Sequence, residues 1–170
     1  MLHIQPPNYT GPIHPSRGDG STYIELGPMI FLAGSIEMDT AERWQDKVIQ
    51  NFQDKHVTFL NPRRDDWNPK IEQSCMDAGF RDQVNWELSG LLKSDLVVFY
   101  VDPTTKSPIT LLELGLIAGR KIQSVVCCPE GYWRKGNVEM VCDRFGIQMI
   151  DSFPRLLIYI ETFIEHWDYR

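Results

Sequence analysis

The sequence predicts one layered α/β domain: a mostly parallel, five-stranded sheet flanked by helices. Three observations carry that prediction. Runs such as Leu96-Val97-Val98-Phe99-Tyr100-Val101 are apolar at every position, the pattern of strands buried on both faces. Segments with apolar residues three or four positions apart lie between those runs, as the crossovers of a parallel sheet require. The length of 170 residues suits one core, and 42% apolar with 24% charged residues is ordinary globular composition.

Residues 1–21 hold four prolines and three glycines with no apolar period, so an extended or disordered arm is expected before a domain spanning 22–170. Met29-Ile30-Phe31-Leu32-Ala33-Gly34 is the first strand. Asp39 with Glu42 three residues later is a helix-start pattern, and Ala41, Trp44, Val48 and Phe52 follow at helical spacing. Val57 to Leu60 is the second strand, ended by Asn61-Pro62. Phe80, Val84, Leu88 and Leu91 mark the apolar stripe of a helix that runs to about Lys93. Leu96 to Val101 is the third strand. A helix begins near Thr110, after the turn residues Asp102-Pro103 and Ser107-Pro108. Ile122 to Cys127 is the fourth strand, Asn137 to Arg144 a short helix, and Ile147 to Ile150 the fifth strand. Leu156, Ile160, Phe163, Ile164 and Trp167 give a last amphipathic helix. No internal repeat and no further boundary is visible. Ligands bind beyond the carboxyl ends of the strands in such sheets, so the loops after Gly34, Leu60, Asp102 and Cys128 should build the site.

Charge narrows the partners. Seventeen Lys and Arg stand against 23 Asp and Glu, a net charge of −6, which argues against a chain that grips nucleic-acid phosphates. No apolar run reaches the 18 residues needed to span a bilayer. The start Met1-Leu2-His3-Ile4-Gln5-Pro6-Pro7 has no basic segment leading into an apolar core, so no secretory signal is expected. Cys75, Cys127, Cys128 and Cys142 form no C-x-x-C pair; buried free thiols in a cytoplasmic protein are expected, with no metal.

Several residues could carry chemistry. Ala33-Gly34-Ser35-Ile36-Glu37 follows the first strand where a phosphate cradle would lie, yet neither G-x-G-x-x-G nor G-x-x-x-x-G-K-[ST] is present. Gly34 either makes a tight turn or lets a ligand approach the backbone, with the Ser35 hydroxyl beside it. Glu113 is the only charge between Pro108 and Gly119, in the first turn of a helix that looks buried nearly all round. A carboxylate buried there either caps its own helix or does a job. Glu87 borders the apolar stripe of the preceding helix and Asp82 lies further around; either could be its acidic partner or a solvated surface acid. Asp95 reads as a pin at the entry of the third strand. The loop Asn61-Pro62-Arg63-Arg64-Asp65-Asp66-Trp67 could hold a planar ring or pair with itself, and Tyr132-Trp133-Arg134-Lys135-Gly136-Asn137 is as rich in aromatic and donor groups.

Phe31-Leu32-Ala33-Gly34-Ser35-Ile36, Asn61-Pro62-Arg63-Arg64, Trp86-Glu87-Leu88 and Leu112-Glu113-Leu114-Gly115 together resemble the nucleoside 2-deoxyribosyltransferase-like family. Ser94-Asp95-Leu96-Val97-Val98 and Gly136-Asn137-Val138 extend the match over roughly residues 29–150. The resemblance implies a flavodoxin-like, Rossmann-like sheet, no cofactor, and homo-oligomers whose sites are completed by a neighbouring subunit. It implies that Glu113 attacks the anomeric carbon of a 2′-deoxynucleoside, that the base leaves, and that a second base resolves the ester, the logic of a retaining glycosidase. Glu87 takes the place of a family acid that is more often aspartate, with Asp82 as the alternative. Gly34 and Ser35 then line the sugar side, and Asn137 reaches the 5′-hydroxyl of a neighbour's substrate. Arg64, Asp65, Asp102, Trp67 and Trp133 complete the expected binding set, the two tryptophans as base-stacking groups. Related hydrolases of nucleoside monophosphates carry a basic residue after the Gly-Ser-Ile loop. Here Glu37-Met38-Asp39 stands instead, so the expected substrates are 2′-deoxynucleosides and free nucleobases. Hydrolysis of a nucleoside, a nucleotide or NAD at the same bond, or a silent nucleotide-sensing module, are the alternatives.

Overall fold

The computed structural model describes residues 1–6, 27–36, 41–65 and 71–167. Among these, six parallel strands make one sheet: β1 (Leu2–Ile4), β2 (Met29–Gly34), β3 (Thr58–Leu60), β4 (Leu96–Tyr100), β5 (Ser124–Cys127) and β6 (Gln148–Ile150). Their spatial order is β1-β3-β2-β4-β5-β6. The five helices are α1 (Trp44–Asn51), α2 (Ala78–Lys93), α3 (Pro108–Arg120), α4 (Lys135–Phe145) and α5 (Phe153–Glu165).

The five expected strands are β2 to β6, and the sixth comes from the segment read as an arm. Leu2 and Ile4 pair with Thr58 and Leu60 at the sheet edge, and the Asn61 amide donates to the Ile4 carbonyl at 3.0 Å. Three residues on an edge are too short to show a period, which is why the strand was not legible. Residues 7–26 lie outside the described set.

Two apolar layers sandwich the sheet. Phe31, Val97, Phe99 and Val126 point to one face, covered by Trp86 and Leu91 of α2, Leu114 and Ile117 of α3, and Val138 and Cys142 of α4. Ile30, Leu32, Val98 and Val125 point to the other, covered by Trp44 and Val48 of α1 and Leu156 and Ile160 of α5. Each fully buried large side chain contributes about 1.5–3 kcal/mol, so both layers are needed to offset chain entropy. Asp95 pins β2 as expected: its Oδ2 accepts from the Met29 amide at 2.8 Å, while its own amide donates to the Met29 carbonyl.

Several sequence expectations change. On α2 the buried residues are Gln83, Trp86, Gly90 and Leu91, whereas Leu88 is exposed and Phe80 and Val84 are half-buried. The helix is turned because Gly90 seats directly on the Phe31 ring; a Cβ there would meet ring carbons at 2.6 Å. Helix α3 is not buried all round, since Ile109 and Leu112 are 61% and 70% exposed. It also starts at Pro108, so Glu113 falls in the second turn, beyond the free amides of the helix start. Of the four thiols, Cys75 is exposed. Helix α1 begins at Trp44 with Arg43 before it, and Asp39 lies outside the described residues.

Strand β2 leads out to β3 on one side, while β4 adjoins its other side. The crevice of the fold therefore opens between the carboxyl ends of β2 and β4, where Gly34 pairs with Tyr100.

Candidate active site

Gly34 sits at that crevice with φ +152°, and a Cβ on it would come within 2.3 Å of the Tyr100 carbonyl oxygen. No other residue lets the two strand ends close this tightly. Beyond them lies a cavity of about 400 Å³. Its walls are Gly34 and Ile36 after β2, Pro62 to Arg64 after β3, Gln73 and the Phe80–Glu87 side of α2, and Ser107 to Thr110 with Glu113 on α3. Three of the four expected loops thus build it, at the expected end of the sheet.

Glu87 and Glu113 meet in this cavity from neighbouring helices. Burial pushes both carboxyls far above the usual range, Glu87 to about 7 and Glu113 to about 8. Their mutual repulsion falls on whichever ionises second, and that is Glu113. Gln83 donates to Glu87 at 2.6 Å and pulls in the opposite direction. Near neutral pH the pair therefore holds about one proton between two carboxylates, an acid and a base in one apolar pocket.

A strained corner forms the wall at the start of α3. Ser107 has φ +47°, a left-handed conformation that disfavours a residue with a side chain by about 1–2 kcal/mol. Its hydroxyl lies 2.5 Å from that of Ser35 and 2.8 Å from that of Thr105. Ser35 also accepts from the Asp102 amide at 2.8 Å. Next to it, the Lys106 carbonyl accepts from the Tyr132 hydroxyl and the Trp133 indole. The loop after β5 therefore acts on the cavity indirectly, by clamping the turn that carries Ser107.

The expected residues divide accordingly. Glu113, Glu87, Gly34 and Arg64 line the cavity. Ser35 is 1% exposed and supports Ser107 from behind. Asp102 is buried too. Burial raises its carboxyl, but bonds from the Thr104 hydroxyl and amide and the Glu42 amide outweigh that and hold it below its usual range. Its contacts are those of a turn cap. Asp65 is exposed and paired with Arg43 at 2.6 Å. Asp82 is exposed on α2 and does not reach the cavity. Trp133, 52% exposed, stacks under the Arg134 guanidinium at 4.3 Å and is not part of the wall. Asn137 is exposed on the first turn of α4, outside the cavity of its own chain. Trp67 and Glu37-Met38-Asp39 lie outside the described residues.

Among the wall residues, Phe80 and Gln83 were not singled out as site residues from sequence, and Arg63 was named only as part of its loop. Phe80 looked like a core position, yet it is half-buried and is the aromatic ring of the wall. Gln83 gave no signal, being one polar residue on a helix. Arg63 is 1% exposed, and it ties the wall by donating to the carbonyls of Glu42 and Ala41 at 3.0 and 3.1 Å. Among the described residues no cluster of His, Cys, Asp or Glu is placed to hold a metal ion, and no helix is long and apolar enough to cross a membrane.

A parallel α/β sheet with two desolvated carboxyls at its switch point defines a class of protein able to work on a small polar molecule by acid–base or covalent carboxylate chemistry. The comparisons narrow this. The family described as nucleoside 2-deoxyribosyltransferase like matches residues 27–132, more than half of the chain, and the chain belongs to that family. A conserved protein from Enterococcus faecalis V583, known from its crystal structure, is similar with a TM-score of 0.59 and 16% identity over 80% of this chain and 98% of that one. That likeness is one of fold. No curated protein matches.

Proposed function

We propose that this chain is an N-deoxyribosyltransferase that exchanges nucleobases on 2′-deoxynucleosides through a deoxyribosyl ester on Glu113. The observation that carries the reading is the pair of desolvated glutamates on α2 and α3 facing one cavity, in a chain of this family. Glu113 as carboxylate attacks C1′ of the sugar. The C1′–N bond breaks with its electrons going to the base, which takes a proton from Glu87. A second base then attacks C1′ through nitrogen, gives its proton to Glu87, and returns Glu113 as carboxylate.

This sequence needs the pair's single proton on Glu87, while burial and the neighbouring Glu87 charge favour the protonated form of Glu113. A bound base accepting from Glu87 and a sugar carbon gaining positive charge beside Glu113 both act against that preference. The cavity volume is in the range of small-ligand sites, and Phe80 offers a face for a base to stack on. Two carboxyls in one pocket favour a neutral nucleoside over its phosphate.

The site is shared between copies in this reading. Ile109, Leu112 and Leu116 leave an apolar stripe exposed on α3, and Ile109 is also part of the cavity wall. A second copy seated on the stripe would reach the cavity mouth, which gives Asn137 a role from the neighbour. Incubation with thymidine and adenine, followed by chromatography, tests the function. Deoxyadenosine with free thymine is expected. Free deoxyribose alone would mean hydrolysis, and no turnover of any deoxynucleoside would refute the enzyme reading.

A further inference from the structure

Gln83 lies one helical turn before Glu87 on α2 and is 6% exposed. Its Nε2 donates to Glu87 Oε1 at 2.6 Å and to the Pro62 carbonyl oxygen at 3.2 Å. Its own Oε1 is buried without a partner. A buried acceptor left unpaired costs about 1–3 kcal/mol, so an amide free to turn over would gain by trying the other orientation. Pro62 prevents this. A backbone carbonyl accepts and never donates, whatever the protonation of Glu87, and turning the amide would set oxygen against oxygen. The Pro62 carbonyl therefore fixes Nε2 as the atom that faces Glu87, and it anchors that atom to the loop after β3.

We propose that Gln83 is a positioning residue that confines the Glu87 proton to Oε2, so that the leaving nucleobase is protonated from one oxygen only. The proposal rests on the reading of Glu87 as the acid partner of Glu113. Because Oε1 accepts from Gln83, it is the carbonyl oxygen of the protonated acid, and the hydroxyl is Oε2. As the C1′–N bond breaks and its electron pair moves to the base, the Oε2–H bond breaks and the base takes that proton. The carboxylate left behind keeps its bond from Gln83. In the second half-reaction, the nitrogen that attacks C1′ returns a proton to Oε2. The same bond serves the charged form: donation to a carboxylate stabilises it and partly offsets burial, so the acid does not become too weak to release its proton.

Gln83→Met and Gln83→Leu remove the donor while keeping apolar volume in place, and two measurements read the result. In the unliganded protein, the Glu87 carboxyl carbon is followed by NMR against pH, its resonance assigned by its loss in Glu87→Gln. Both variants should raise its midpoint by roughly one pH unit. In the exchange assay they should lower kcat roughly tenfold with KM little changed, a part of the 10²–10⁴ that general acids contribute, and should move the alkaline limb upward. In a Glu87→Gln background neither should lower the rate further, because Gln83 acts through Glu87. An unmoved Glu87 midpoint, or losses that multiply with that of Glu87→Gln, overturns the proposal. The titration needs no turnover. If the wild-type chain exchanges no base, the functional reading falls, and the titration still decides the role of Gln83.

Discussion

Replacing Glu113 by glutamine removes a charge from a place that resists one, so it should trade activity for stability in a pH-dependent way. The carboxyl titrates near 4.5 in the unfolded chain and at about 8 in the folded one, because burial comes first and Glu87 second. The folded state therefore holds a proton that the unfolded state has released, and stability falls as pH rises through the window between those values. Below pH 4.5 the group has no effect. Above pH 8 the full difference applies. At about 1.4 kcal/mol per pH unit this comes to on the order of 5 kcal/mol, a ceiling that relaxation and water entry reduce. Glutamine keeps the shape and has no proton to lose. Urea unfolding of Glu113→Gln and wild type at pH 5 and pH 8, at one protein concentration, is the assay. Similar stability is expected at pH 5, with the variant more stable by about 2 kcal/mol or more at pH 8. The variant should also form no covalent sugar adduct by intact mass. Parallel pH dependences of the two proteins would refute the claim that Glu113 is desolvated in the fold.

Further expectations concern the pair, the crevice and the surface. The rate of base exchange should be bell-shaped in pH, highest between about 7 and about 8, where one carboxyl of the pair keeps its proton; a flat profile from pH 5 to 9 excludes the pair as acid and nucleophile. Gly34→Ala should lower the thermal midpoint by roughly 6 °C or more, from a loss of about 3 kcal/mol where the new Cβ meets the Tyr100 carbonyl. Leu112→Glu, at a position 70% exposed, should convert an oligomer to a monomer in light scattering and weaken exchange, with monomer stability changed by no more than about 0.5 kcal/mol. A wild-type chain that is monomeric and fully active would rule out the shared site.

What could be read from sequence follows from which forces act locally. The central strands β2 and β4 were legible because a strand buried on both faces must be apolar at every position, as Val97, Val98 and Phe99 are. Glu113 stood out for the converse reason, as a lone charge in an apolar stretch. The face of α2 was not legible. Apolar spacing pointed to Phe80, Val84 and Leu88, but the helix rests on Gly90 against Phe31, a contact made by the absence of a side chain. That rotation is what turns Phe80 and Gln83 towards the cavity and hides Gln83 from any pattern based on hydropathy. Apolar spacing set Glu87 at the border of the stripe and Asp82 further around, and the rotation of the helix takes Glu87 into the cavity wall and leaves Asp82 exposed.

The same rotation ties the fold to the chemistry. Burying Gln83 on α2 brings its amide under the Pro62 carbonyl, and that carbonyl decides which way the amide faces Glu87. Glu87 in turn adds to burial a repulsion that helps keep Glu113 protonated. A small residue at position 90 thus sits at the start of a chain of contacts ending at Glu113. The strained Ser107 on the opposite wall has a matching dependence on Ser35 and Thr105 and on the Lys106 turn. Each carboxyl is held from a wall that rests on the sheet, α2 through Phe31 and the loop of α3 through the end of β2. The distance between the two helices is therefore set by packing across β2 and β4, and the raised titration of the pair is a property of the core as much as of the cavity.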